Sequence, residues 1–339
     1  MKPSSGQETG SGVVVTGGAG FLGSHVVRQL LDAGRRVVVL DDFSNGKRMH
    51  LEGLESRGSL RVIAGDIVRI DDVRRAFAGC RTAIHLAVLD LRQSIRDPRR
   101  VNTVIVDGTL NCLDVAREAG MDLFVNCSSS EAYGTAHRVP MDEDHPLNPE
   151  TPYAAAKVAQ DMYVGSYGRT YGLPWVTVRP FNMYGPNSHW QGARGELIPK
   201  MIVRAMNGKP LILFGSGEQT RDFVYVEDAA RAILAVAASD KGRGRCFNIS
   251  TGVDTSVRRI AELICAGFGL DPAAAIQTQP GRPGDVMRHC GDGTRLRETF
   301  GFVPGTRIEE GLRRTAEWFR SLPFTPRQLL EQEVLRNWE

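Results

Sequence analysis

A phenol and an ammonium stand four residues apart in Tyr153-Ala154-Ala155-Ala156-Lys157. On a helix that spacing puts both on one face, where they can act on a single proton. Ordinary surface helices carry such pairs too, so the assignment turns on what else the chain brings near them. One companion is Ser128-Ser129-Ser130-Glu131-Ala132-Tyr133-Gly134, a run of hydroxyls and one carboxylate that follows the apolar segment Leu123 to Cys127. Another is Gly17-Gly18-Ala19-Gly20-Phe21-Leu22-Gly23, entered directly from Val13-Val14-Val15-Thr16 and followed by an amphipathic helical pattern. In that company Tyr153 and Lys157 are candidates for a catalytic pair, with Ser129 and Glu131 beside them.

Glycines at a strand-to-helix turn permit a tight reversal and a close backbone approach, and the free N–H groups and positive dipole end of the helix then suit a pyrophosphate. Three glycines alone are a weak signal. Here a second strand-like run, Val37-Val38-Val39-Leu40, ends in Asp41, about twenty residues on, where an acid accepts bonds from adenosine ribose hydroxyls. Gly17, Gly20, Phe21, Leu22, Gly23 and Asp41 are therefore expected to hold a dinucleotide. A carboxylate at Asp41 repels the 2′-phosphate of NADP, and no arginine directly follows it, so NAD is the expected cofactor. Asp42 and Asn45 are further candidates for ribose contacts and also read as ordinary loop polars.

The elements that must position these residues follow from periodicity. Short β-branched runs alternate with longer helical patterns at Val13 to Thr16, Gly23 to Ala33, Arg36 to Asp41, Leu60 to Ala64, Val73 to Phe77 and Thr82 to Leu86. The alternation continues through a helix near Gly108 to Ala119, a strand Leu123 to Cys127, a helix near Ala154 to Tyr171 and a strand Trp175 to Val178. This is the pattern of βαβ units, and it predicts an α/β fold with a doubly wound parallel Rossmann sheet. After Arg179 the chain turns Pro- and Gly-rich, which suits a smaller, interleaved α/β substrate domain. Phe223 to Val226 and Arg245 to Ile249 read as strands returning to the first unit. The expected division is 11–180, with returning strands at about 222–249, for the dinucleotide domain, and 181–221 with 250–325 for the other.

Composition narrows the class. The 339 residues carry 42% hydrophobic and 24% charged side chains with a net charge of +3, enough for a large core and without the basic stripe that nucleic-acid binding requires. No apolar run approaches the roughly 18 residues that span a bilayer, and residues 1–10 are polar rather than signal-like, so a cytoplasmic protein without a membrane partner is expected, its first ten residues loose. Cys80, Cys112, Cys127, Cys246, Cys265 and Cys290 lack any C-x-x-C spacing and are expected to be reduced core thiols, with no metal bound.

Over about Gly12 to Phe319 the chain resembles the extended short-chain dehydrogenase/reductases, specifically the NAD-dependent nucleotide-sugar epimerases and dehydratases of the UDP-glucose or UDP-glucuronate 4-epimerase kind. The resemblance implies that Asp66 and Ile67, in Gly65-Asp66-Ile67, close around the adenine. It also implies that Leu86 and Ala87 end the fourth strand beside the dinucleotide, with Pro180 in the cofactor set. By the same resemblance Tyr153 takes the proton from a sugar hydroxyl as hydride leaves, Lys157 favours its phenolate and holds the nicotinamide ribose, and Ser129 bonds the reacting oxygen. The chain departs from the pattern at Ile105, where the family usually has Asn, and at Val88, where it has a second alanine.

The resemblance further assigns a nucleotide-sugar grip. Asn182 is implied at the sugar and diphosphate, Leu197 at a helix start over the base and Phe214 on or beside it, Arg221 and Arg282 on the diphosphate, and Asp285 on the nucleoside ribose. Arginine forks match phosphate oxygens bidentately. Arg288 and His289 lie just beyond and are candidates for the sugar end, although a lone His is more often structural. In the 4,6-dehydratases Asp and Glu match Ser130 and Glu131, and serine is no strong proton donor; in the glucuronate decarboxylases the matching tripeptide is Thr-Ser-Glu. The reading adopted is an NAD-dependent nucleoside-diphosphate-sugar 4-epimerase, working on a UDP-sugar through a transient 4-keto sugar, as a homodimer. The alternatives are a UDP-glucuronate decarboxylase, a sugar 4,6-dehydratase and a non-catalytic NAD-binding protein.

Overall fold

The structure is a computed structural model that describes residues 12–281 and 286–336. Its first half alternates strand and helix: β1 (Gly12–Thr16), α1 (Phe21–Asp32), β2 (Val37–Asp41), β3 (Leu60–Ala64), α2 (Ile70–Phe77) and β4 (Cys80–His85). Two short helices follow, α3 (Leu91–Arg96) and α4 (Pro98–Asn102), and a π turn at Thr103–Asp107 leads into α5 (Gly108–Glu118), β5 (Leu123–Cys127), α6 (Pro152–Tyr171) and β6 (Trp175–Pro180). The second half holds β7 (Asn182–Tyr184), α7 (Leu197–Met206), β8 (Leu211–Phe214), β9 (Thr220–Tyr225), α8 (Val226–Ala237), β10 (Cys246–Ile249) and β11 (Asp254–Ser256). It closes with α9 (Val257–Phe268), α10 (Pro272–Ala275), β12 (Ile276–Gln279), β13 (Arg288–His289), α11 (Thr294–Phe300), α12 (Ile308–Ser321) and α13 (Pro326–Leu330).

Seven strands form a parallel sheet in the order β10-β6-β5-β4-β1-β2-β3. The chain winds outward from β1 through β2 to β3, then returns across β1 to β4 and runs the other way. The strand order therefore reverses between β1 and β4, and a crevice opens at their carboxyl ends. All five residues of β1, of β2 and of β5 are buried, which explains why these strands read as unbroken β-branched or apolar runs: helices cover both faces. On one face Val13, Val15 and Val39 pack against Val27 of α1 and Ile233 of α8. On the other, Val14, Val38 and Phe124 meet Phe77 of α2, Leu113 of α5 and Val164 of α6. Ile105 is fully buried in this second core, inside the π turn, so the position that departs from the family pattern serves packing.

The sequence expectation fails at Phe223 to Val226. That segment does not return to the large sheet; β9 pairs antiparallel with β11, and parallel with β13 at its start and β7 at its end. The place beside β6 is taken by β10, which does join the large sheet. An apolar run four or five residues long carries no mark of its partner, so periodicity could not tell the two sheets apart. The crossover back is made by α8, packed on α1 with Gln29 Nε2 donating to Glu227 O at 3.1 Å. A third core, built on Trp190, Ile202, Leu211, Ile260 and Phe319, lies beneath α7, α9 and α12.

All six cysteines are free thiols, five of them buried. No helix among the described residues is long and apolar enough to cross a membrane. The first eleven residues lie outside the described part.

Candidate active site

The glycine loop is shaped by contacts that leave no room for side chains. Gly17 has φ +69°, and a Cβ there would stand 2.8 Å from the backbone of Ala87 at the end of β4; one on Gly23 would stand 2.1 Å from Gly17 O. α1 starts after Gly20 with no side-chain cap, which leaves its first-turn N–H groups facing the crevice. At the end of β2 the buried Asp41 accepts from Ala19 N and Phe43 N, both at 2.9 Å, while burial pushes its carboxyl upward against those two bonds. Asp42 is exposed and spends one oxygen on Ser44 N (2.9 Å) and Ser44 Oγ (2.7 Å), a turn closure. Asn45 Oδ1 is buried and finds no donor among the described residues. Asp66 Oδ1 accepts from Val68 N at 3.0 Å, and Leu86 N and Ala87 N donate to Thr16 Oγ1 at 3.2 and 3.3 Å.

These groups line one end of a cavity of about 690 Å³, whose walls include Gly17, Gly20, Phe21, Leu22, Gly23, Asp41, Asp42, Asn45, Asp66, Ile67, Leu86, Ala87 and Pro180. A glycine cradle at a bare helix N-terminus, an acid at the end of β2 and an orphaned acceptor beside it fit a dinucleotide.

Ser129, Glu131, Tyr153 and Lys157 line the same cavity further along. Ser129 lies two residues past β5 and caps the short 3₁₀ turn Ser130–Tyr133, accepting from Glu131 N at 3.2 Å, with its side chain beside the Tyr153 phenol. Tyr153 sits in the first turn of α6, begun by Thr151, whose Oγ1 accepts from Ala154 N at 3.1 Å, and by Pro152. Burial pushes the phenol up, opposed by the Ser129 side chain. One turn on, Lys157 is 2% exposed and its Nζ donates to Cys127 O at 2.8 Å and Gln160 Oε1 at 2.9 Å, leaving a third N–H for the cavity. Burial pushes this ammonium down. The helix is held behind the site by Asp161, which takes Arg179 Nη2 at 2.8 Å, Ser128 Oγ at 2.9 Å and Asn126 Nδ2 at 2.9 Å. Glu131 is pushed up by burial and held back by the charge of Arg221.

The second half of the chain also lines the cavity. Asn182 Oδ1 is buried without a partner among the described residues, Leu197 opens α7, and Phe214 ends β8. All three line the cavity, as does Arg221, whose Nη1 donates to Thr220 O at 2.8 Å and Val286 O at 2.6 Å. Arg282 and Asp285 lie outside the described residues. Arg288 is exposed and pairs with Asp254. His289 instead lines the cavity, its ring 5.1 Å from that of Phe181 and bonded to the Ser130 backbone; burial pulls it down to about 4, so the imidazole is neutral.

Sequence reasoning passed over Asp90, Arg92, His189 and Glu196, all of them cavity residues. Glu196 precedes α7, and burial pushes its carboxyl up to about 7 against the charge of Arg92. A charged residue at a helix start reads as a cap from sequence, and nothing local reveals that Glu196 makes no cap bond.

A doubly wound sheet with a glycine cradle at its switch point and a Ser-Tyr-Lys set on the next strand and helix defines a dinucleotide-dependent oxidoreductase scaffold. The chain belongs to the NAD-dependent epimerase/dehydratase family, whose model matches residues 13–250, and NAD is its cofactor. It is 36% identical over 312 residues to a UDP-glucose 4-epimerase of Mycolicibacterium smegmatis, covering 91% of this chain and 98% of that protein. The Thermotoga maritima UDP-glucose 4-epimerase, solved with UDP-glucose, superposes with a TM-score of 0.85 at 34% identity, covering 91% and 98% of the two chains. The dTDP-glucose 4,6-dehydratase DesIV of Streptomyces venezuelae, solved with NAD and TYD, gives 0.84 at 32% identity, covering 91% and 96%.

Proposed function

We propose that the protein is a nucleoside-diphosphate-sugar 4-epimerase, with a UDP-sugar as substrate. The observation that carries the reading is one continuous cavity lined together by the glycine cradle, by Ser129, Tyr153 and Lys157, and by Asn182, Phe214 and Arg221. Bound NAD supplies the acceptor that removes hydride from C4 and gives it back on the opposite ring face. Tyr153, as phenolate, takes the O4 proton and later returns it; Lys157 stabilises that phenolate and Ser129 bonds O4. Asn182 and Arg221, with Arg282, hold the diphosphate about which the 4-keto sugar turns, Asp285 holds the nucleoside ribose, and Phe214 and Leu197 cover the base.

Ser130 speaks against dehydration: it is 4% exposed at the position where elimination needs a proton donor, and a hydroxyl is too weak an acid for that work. Glu131 favours a second reading, decarboxylation of a UDP-glucuronate, because its carboxyl lines the cavity and burial pushes it up. A C4 ketone would make that substrate a β-keto acid ready to lose carbon dioxide. An NMR screen of nucleotide sugars separates the two: inverted C4 with every carbon kept supports the epimerase, and a pentose product with carbon dioxide release supports the decarboxylase. The working form we propose is a homodimer, since Ile95 on α3 and Met162 and Tyr163 on α6 are 55%, 52% and 42% exposed.

A further inference from the structure

We propose that Gln160 and Thr109 are positioning residues: they hold the Lys157 ammonium for proton transfer at Tyr153, through a buried chain of hydrogen bonds that runs back to the cofactor loop at Thr16. The inference rests on the proton-transfer reading above and extends it to residues that touch neither cofactor nor sugar.

The chain is continuous. Lys157 Nζ donates to Gln160 Oε1 at 2.9 Å, and Gln160 Nε2 donates to Thr109 Oγ1 at 3.0 Å. His85 Nε2 lies 2.9 Å from the same hydroxyl, and His85 Nδ1 lies 2.8 Å from Thr16 Oγ1. Thr16, His85 and Thr109 are 0% exposed, Gln160 1% and Lys157 2%, so the chain is shut off from bulk solvent.

One proton assignment satisfies every bond. Thr16 Oγ1 accepts from Leu86 N and Ala87 N, so its own proton goes to His85 Nδ1. His85 must then carry its proton on Nε2 and donate it to Thr109. Thr109 gives its hydroxyl proton to Ile105 O in the π turn, which leaves Oγ1 able only to accept from Gln160. The amide is thereby locked with its oxygen toward Lys157. Flipped, it would aim its NH₂ at an ammonium and its oxygen at a hydroxyl oxygen whose proton is already given to Ile105 O. Thr109 thus decides which end of Gln160 the lysine meets.

Of the titratable groups around Lys157, Asp161 adds a charge that favours the ammonium, but its bonds go elsewhere and do not aim it. Burial and the lysine itself pull His85 down to about 3, so it is neutral. Burial pushes the Cys127 thiol up to about 11, so it too is neutral. Asp161 is committed to Arg179, Ser128 and Asn126. Tyr153 is the group that Lys157 serves. Two oxygens, Cys127 O and Gln160 Oε1, therefore hold and aim the buried ammonium.

The test is an ultraviolet difference titration of the phenolate band in the NAD-loaded protein, with Tyr153→Phe subtracted. Gln160→Met keeps the bulk and removes the oxygen; it is expected to move the Tyr153 midpoint up by about one pH unit, tenfold less phenolate at a given pH below it, the size of one lost bond to a charged group. Thr109→Val should move it the same way, and Thr109→Ser should restore it, with NAD content unchanged throughout. A merely structural role would lower stability and leave the midpoint where it was, and an unmoved midpoint in Gln160→Met or, should that variant not fold, in Thr109→Val overturns the proposal. A shifted midpoint in a protein that turns over no nucleotide sugar would sink the epimerase reading and leave this one standing. A wild-type Tyr153 that titrates like an ordinary tyrosine would sink both.

Discussion

Tyr153 is the residue on which the proposed chemistry depends most directly. Tyr153→Phe keeps the ring against the core that packs it and removes only the phenol, so fold and NAD binding should persist while turnover drops by roughly 10² to 10⁴. Near-normal turnover would take Tyr153 out of the mechanism. Glu131 separates the reactions. A C4 inversion needs one proton shuttle at O4, so Glu131→Gln should cost less than about tenfold, under roughly 1.4 kcal/mol of barrier. The product formed in deuterated water should carry no deuterium at C5. A loss of several hundredfold with carbon dioxide release or C5 deuteration would move the enzyme to decarboxylation or dehydration. Glu196 makes a prediction about pH. The native state holds its carboxyl proton up to about 7, whereas an unfolded glutamate releases it near 4.5. Between those values the native state binds more protons than the unfolded one, so this contribution to stability falls as pH rises. Thermal midpoints measured without nucleotide sugar should therefore fall more across that window in the wild type than in Glu196→Gln; parallel curves would contradict it.

At the scale of elements, the loop from β1 to α1 and the start of α6 carry the site, and both were legible because their signals are local. A glycine with φ +69° and a helix begun by Thr151-Pro152 are written in adjacent residues. Gly17→Ala should show how tightly the loop is held. The left-handed backbone costs about 1–3 kcal/mol for a non-glycine residue, and the added Cβ also meets Ala87 backbone at 2.8 Å. Purified Gly17→Ala protein should carry much less NAD and melt lower; full NAD occupancy would mean that the loop relaxes freely. The tie between α6 and β6 was not legible. Asp161 lies four residues beyond Lys157, and nothing near it announces Arg179, its partner eighteen residues on, past the rest of α6 and the turn into β6.

At the scale of the molecule, Ile95 on α3 and Met162, Tyr163 and Tyr171 on α6 are four of the eight exposed large apolar side chains among the described residues, on helices that also carry one wall of the active site. If that face is the homodimer contact, wild-type protein should sediment as a dimer and Met162→Glu should shift it toward monomer, with NAD still bound; a monomeric wild type would exclude the contact. The glycine turn, Asp41 at the end of its strand, the Tyr153 to Lys157 spacing and the alternation of strand and helix were determined by the sequence alone. Each depends on backbone freedom, side-chain charge or burial period within a few residues. Only the tertiary structure decided that β9 joins the small sheet, because the edge of the large one is filled by β10. It alone brought His289 and Glu196 into the cavity, and joined Lys157 to Thr16 through Gln160, Thr109 and His85. Those pairings span up to 69 residues of chain, and a polar side chain's partner at that separation is chosen by the packing of whole elements rather than by its neighbours in sequence.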